Sequence, residues 1–187
     1  TTGTSNVAVG AFALDANTAG NFNTAVGFDT LTNSTGSENT GCGGNSLKQN
    51  TTGSNNTAFG VSTLESNTTA SDNTAVGRNA MAVNTTGTRN VAIGSLALDA
   101  NTTASANTTV GFKSMSSNTT GTNNVALGDE ALFSNTTADN NTAIGNDALY
   151  ANTTGTKNTA VGAFSLDASS TGNNNVAVGD EALSSNT

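Results

Sequence analysis

A unit of seventeen residues recurs from one end of this chain to the other, and it limits the fold more than any other feature. Its marker is Asn-(Thr/Val)-Ala-(Val/Ile/Leu/Phe)-Gly, at residues 6–10, 23–27, 56–60, 73–77, 90–94, 124–128, 141–145, 158–162 and 175–179. Degenerate copies lie at 39–43 and 107–111. With Asn as position 1 and Gly as position 5, position 9 is Leu or Met in every copy. Positions 12 to 15 usually read Asn-Thr-Thr-(Gly/Ala). The register breaks once, by a one-residue deletion after Leu31, which places a tolerant surface turn at positions 10 and 11. From Gly53 to Gly155, position 15 alternates Gly and Ala, so a weaker period of two units is superimposed.

Charge shows which positions meet water. All thirteen acids and five bases fall at positions 6, 7, 10, 16 or 17. Charged side chains are almost never fully buried unless paired, so these five positions face solvent and the others are buried, stacked or turning.

Each unit holds one short strand candidate at positions 1 to 5, with two further short strands expected at 7 to 9 and 12 to 14. Seventeen residues are too few for a strand and a crossover helix in every unit. They suit one turn of a parallel β-solenoid with coils ~4.8 Å apart, so residues 1–187 read as a single all-β array of eleven coils, a rod of roughly 50 Å. Identical residues then stack on themselves. The expected apolar ladders are position 4 (Val9, Val26, Phe59, Val76, Ile93, Val110, Leu127, Ile144, Val161, Val178) and position 9 (Leu14, Leu31, Leu47, Leu64, Leu98, Leu132, Leu149, Leu166, Leu183, with Met81 and Met115). Asn at positions 1 and 12 forms amide ladders. Small residues at positions 3 and 8 suggest close approach of another backbone, with several chains around one axis or, alternatively, one chain with a narrow core.

Composition excludes other classes. The chain has no His and a single Cys, Cys42, so Ser-His-Asp triads, His-ligated metals and thiolate clusters have no residues to build them. Five basic against thirteen acidic residues do not neutralise a nucleic-acid backbone. No run reaches the ~20 apolar residues of a membrane-spanning helix. The expectation is no catalytic, metal or cofactor site.

The wording Asn-Val-Ala-Val-Gly (6–10, 175–179), Asn-Val-Ala-Ile-Gly (90–94) and Asn-Val-Ala-Leu-Gly (124–128) resembles the head repeats of trimeric autotransporter adhesins, and similar repeats of phage tail fibres and other surface fibres. The resemblance covers the whole chain. It implies a left-handed parallel β-roll, three chains side by side, in an extracellular fibre on a cell surface or virion that serves attachment. The expected partners are copies of the chain itself and a host-surface receptor or glycan. The unit is longer than the common adhesin head repeat, so its turns differ.

Other motifs have local readings. Asp129-Glu130 and Asp180-Glu181 read as solvated turns rather than cation or catalytic sites. Thr at positions 14 and 16 (Thr86, Thr88; Thr120, Thr122; Thr154, Thr156) offers an alternative function, a flat hydroxyl face for ice or glycans. Asn50, Asn67, Asn84, Asn101, Asn118, Asn135 and Asn152 stand in Asn-Thr-Thr sequons, which a buried ladder would deny to glycans. Cys42, at position 4, reads as an inward small hydrophobe.

Overall fold

The computed structural model describes residues 2–186. It is an all-β parallel solenoid. Eleven three-residue strands, from Val7–Val9 to Val176–Val178, pair in chain order into one parallel sheet. Pairing is row on row: Thr74 on Val91, Ala75 on Ala92, Val76 on Ile93. Each coil thus supplies positions 2 to 4 as strand, and the expected second and third strands are absent among the described residues.

The reason lies in the backbone. Positions 7, 9 and 17 have positive φ in every coil, which breaks extended structure. Position 7 donates back to the preceding coil (Asp29 N to Ala11 O, 3.1 Å) and position 9 donates forward (Leu14 N to Thr30 O, 3.1 Å). Two tight turns per coil complete the path, closed by bonds such as Ala13 N to Gly10 O and Asn17 N to Leu14 O.

Position 9 explains its own residue choice. Its eleven Leu and Met side chains sit at φ of 50 to 55°. A left-handed residue costs roughly 1–2 kcal/mol. Burying a Leu or Met side chain returns about 1.5–3 kcal/mol, and the axial amide bond adds to that. A β-branched side chain is far worse at positive φ. Hence Val and Ile, common at position 4, never occur at position 9.

The core is narrow and partly polar. Leu31, Leu47, Leu64, Leu98, Leu132, Leu149 and Leu166 are fully buried, with Met81 and Met115. Leu14 is nearly so, while Leu183, in the last described coil, is 49% exposed. Around them lie position-3 alanines such as Ala25 and Ala92, position-8 residues such as Ala97 and Ser114, and Asn at positions 1 and 12. The small residues at positions 3 and 8 are therefore already covered by their own chain.

Position 4 corrects the expected core. Val9, Phe59, Val76, Ile93, Val110, Ile144 and Val178 are exposed, Val9 at 56%, and Val26, Leu127 and Val161 are half-buried. Cys42 shares their outward row and is half-buried, not interior. Strand alternation is the cause. With Asn at position 1 and Ala at position 3 inside, positions 2 and 4 point out.

The deletion also falls elsewhere than the sequence suggests. Ser34 N bonds to Leu31 O at 3.1 Å, as Asn17 N does to Leu14 O, so the turn from position 9 to 12 is intact. Ser34 holds position 12 and accepts from Asn50 Nδ2 at 3.0 Å. Thr35 is then followed directly by Gly36, whose carbonyl takes the bond from Asn23 Nδ2 at 2.9 Å. The missing residue is position 14. A Cβ on Gly53, Gly87 or Gly121 would overlap the carbonyl of Ala70, Ala104 or Ala138 in the next coil, just as one on Gly36 or Gly155 would overlap that of Gly53 or Gly172. The overlap favours glycine at these positions whatever follows, so the alternation itself has no structural explanation.

Candidate functional site

Two side-chain ladders run inside the rod. At position 1, each Asn Oδ1 accepts the backbone N–H of the next Asn, as Asn90 Oδ1 does from Asn107 N at 3.0 Å. Its Nδ2 donates to the position-15 carbonyl of its own coil, as Asn90 does to Ala104 O at 2.9 Å. At position 12, Nδ2 donates to the Oδ1 of the preceding Asn, as Asn101 does to Asn84 at 2.8 Å. The sequon residues Asn50, Asn67, Asn84, Asn101, Asn118, Asn135 and Asn152 are all fully buried in this second ladder. A glycan has no room there.

The second ladder carries Ser at two places, Ser34 and Ser169, and the latter leaves polar atoms unpaired. Ser169 replaces Asn, and both its Oγ and the Asn152 Oδ1 are buried without a partner. An unsatisfied buried polar atom costs about 1–3 kcal/mol. Ser169→Asn is therefore expected to raise stability by about 1–2 kcal/mol, read as a higher denaturation midpoint at unchanged m-value. No stabilisation would show that this segment is not stacked as described.

The Thr face is divided by the structure. Thr86, Thr120 and Thr154 are exposed, whereas Thr88, Thr122 and Thr156 are half-buried and bonded along the axis. The amides of Thr122 and Thr156 donate at 2.6 Å to Asp139 Oδ1 and Asn173 Oδ1, and their hydroxyls donate to the same oxygens. Thr88 N donates to Ser105 Oγ at 3.0 Å. Position 16 thus supplies an acceptor to the coil before it. Asp139 and Asn173, at position 16, serve the same purpose as Ser105.

The acidic turns lie outside. Asp129 and Asp180 are exposed, and Glu130 is 3.7 Å from Lys113, whose Nζ also lies over the Phe112 and Phe133 rings. Partial burial, then Glu130, Asp129 and Asp167, raise Asp147 above the usual carboxylate range. Lys48 bonds Asp29 at 2.9 Å, and that hydrogen bond raises its pKa. Among the described residues no three His, Cys, Asp or Glu side chains gather as metal ligands, and no helix is long and apolar enough to cross a membrane.

The broadest surface feature is the outer face of the sheet. Positions 17, 2, 4 and 6 alternate with inward positions 1, 3 and 5, as in Asp72, Thr74, Val76 and Arg78. Positions 2 and 4 carry no charge in any coil. Seven threonines stand at position 2, and none of their hydroxyls has a hydrogen bond among the described residues. Near one end Phe12, Phe22 and Phe28 are all more than half exposed. Sequence reasoning turned this face inward; the parity of the charged positions 6 and 17 was the signal that places it outside. Comparison of the chain with protein-family models, curated proteins and solved structures finds no match.

Proposed function

We propose that this chain is a structural rod: the repetitive, non-enzymatic segment of an extracellular fibre, on a cell surface or virion, that serves attachment. The observation that supports this reading is the direction of its hydrogen bonds. Backbone amides at positions 2, 5, 7, 9, 11, 13 and 17 donate to a neighbouring coil, and side chains at positions 1, 12, 13 and 16 add further axial bonds. Such a stack gains length and stiffness by adding coils, each stabilised by its neighbours. A net charge of -8 keeps it soluble. Its partners in this reading are copies of itself, three side by side as the resemblance implies, and a receptor or glycan met at a tip or at the variable turn positions.

Electron microscopy of the source organism or particle, with an antibody against this chain, tests the proposal. Label along thin surface fibres is the expected result. Label confined to compact particles or to the cell interior would overturn it.

A further inference from the structure

The outer sheet face has a size, a charge pattern and a polarity that together point to one occupant. Four outward positions, from 17 to 6, span about six residues, or ~20 Å, and the stacked coils extend roughly 50 Å. The face is thus on the order of 1,000 Å² per copy, against about 800 Å² per partner in a standard stable interface. Its two central rows are uncharged, and position 4 is apolar in all coils but that of Cys42, half-buried itself. Elsewhere the rod is acidic, so like rods repel except along this face.

The flanking rows add direction. Asp72 and Arg78 flank the strand Thr74–Val76, and neither forms an ion pair among the described residues. Phe22 and Phe28 flank Thr24–Val26, 62% and 55% exposed. Suppose two copies lie side by side with the same polarity and register. Position 6 of one then meets position 17 of the other at the same height. Arg78 meets Asp72 of the second copy, and Phe28 meets its Phe22. At no strand do the two flanking residues, position 17 of the coil before and position 6, carry charges of the same sign, and Thr74–Val76 is the one strand where both are charged. An antiparallel arrangement sets position 6 against position 6 and loses this match.

We infer that copies of this chain associate parallel and in register through the outer sheet face, with positions 2 and 4 in the interface and Arg78 paired to Asp72 of the next copy. This rests on the reading of the chain as a self-assembling rod, and adds to it the face, polarity and register. The small-residue positions 3 and 8 take no part, since each chain already covers its own.

Light scattering on the purified chain over a range of concentrations tests this, with circular dichroism to confirm that each variant stays folded. The expected result is a mass that is a multiple of 18.3 kDa. Arg78→Asp and Asp72→Arg each weaken self-association at least about tenfold, because each sets like charges together across the interface. The double variant, with the charges exchanged, recovers it. All these side chains point outward, so folding is retained. An 18.3 kDa species at every concentration, or single variants that associate like the parent, overturns the inference. A monomer whose source still shows labelled fibres would sink this inference while leaving the fibre reading in place.

Discussion

Asn90→Ala is expected to cost at least about 3 kcal/mol, although it removes a polar side chain from the interior. Asn90 is fully buried. Its Oδ1 is the acceptor for Asn107 N at 3.0 Å, and its Nδ2 donates to Ala104 O at 2.9 Å and towards Asn73 Oδ1 at 3.2 Å. Alanine leaves the Asn107 amide buried and unpaired, which alone costs about 1–3 kcal/mol. The lost donor bonds and the emptied volume add to that. The reference is Asn146→Ala, since Asn146 is exposed and its side chain makes one bond, to Asp129 O at 3.2 Å. That variant is expected to lose no more than about 1 kcal/mol. Chemical denaturation of both variants separates the cases. Equal, small losses would show that the internal Asn ladder does not hold the coils together.

Two adjacent glycines give the second large effect. Gly43→Ala is expected to destabilise the chain by about 3 kcal/mol or more. Gly43 has φ of 129°, where L side chains are strained. A Cβ there would overlap the carbonyl of Gly60 in the next coil and stand 2.6 Å from its carbon. The same obstruction recurs at position 5 up to Gly162, because the coils touch backbone to backbone there. Gly44→Ala is expected to be neutral or stabilising by about 0.4–1 kcal/mol. The only atom a Cβ on Gly44 would meet is Phe28 O, at 3.9 Å, an ordinary contact. A thermal melt of each variant reads the difference. Similar behaviour of the two would contradict the close axial approach at position 5.

Much of this fold is legible in the sequence, because a stacked coil writes its rules once per unit. The seventeen-residue register gives the parallel solenoid, the Asn ladders and the buried Leu and Met row. The error at position 4 came from the usual habit of placing large apolar groups inside. Strand parity argues otherwise. Position 1 and position 4 cannot both point inward along one strand, and the charges at positions 6 and 17 share the parity of position 4. Two other features were beyond sequence reasoning. The positive φ of Leu and Met at position 9 violates ordinary preference, so 7 to 9 read as a strand. The deletion near Leu31 is misread in the sequence because Ser34 stands at position 12, where every coil but that of Ser169 has Asn, a substitution recognisable only from the bond to Asn50. The outer face needed both corrections before Asp72 and Arg78 could be seen on one surface.

The central claim is that the chain is held coil to coil along its axis in a seventeen-residue register. Amide hydrogen exchange, resolved residue by residue by NMR, tests it most directly. Gly77, Gly94 and Gly111 donate to the preceding coil at Phe59, Val76 and Ile93, each at 2.8 Å, and are expected to exchange slowly. The backbone amides of their immediate neighbours Arg78, Ser95 and Phe112 find no acceptor among the described residues and are expected to exchange fast. The contrast should return every seventeen residues. Uniformly fast exchange, or protection without that period, would contradict the stack.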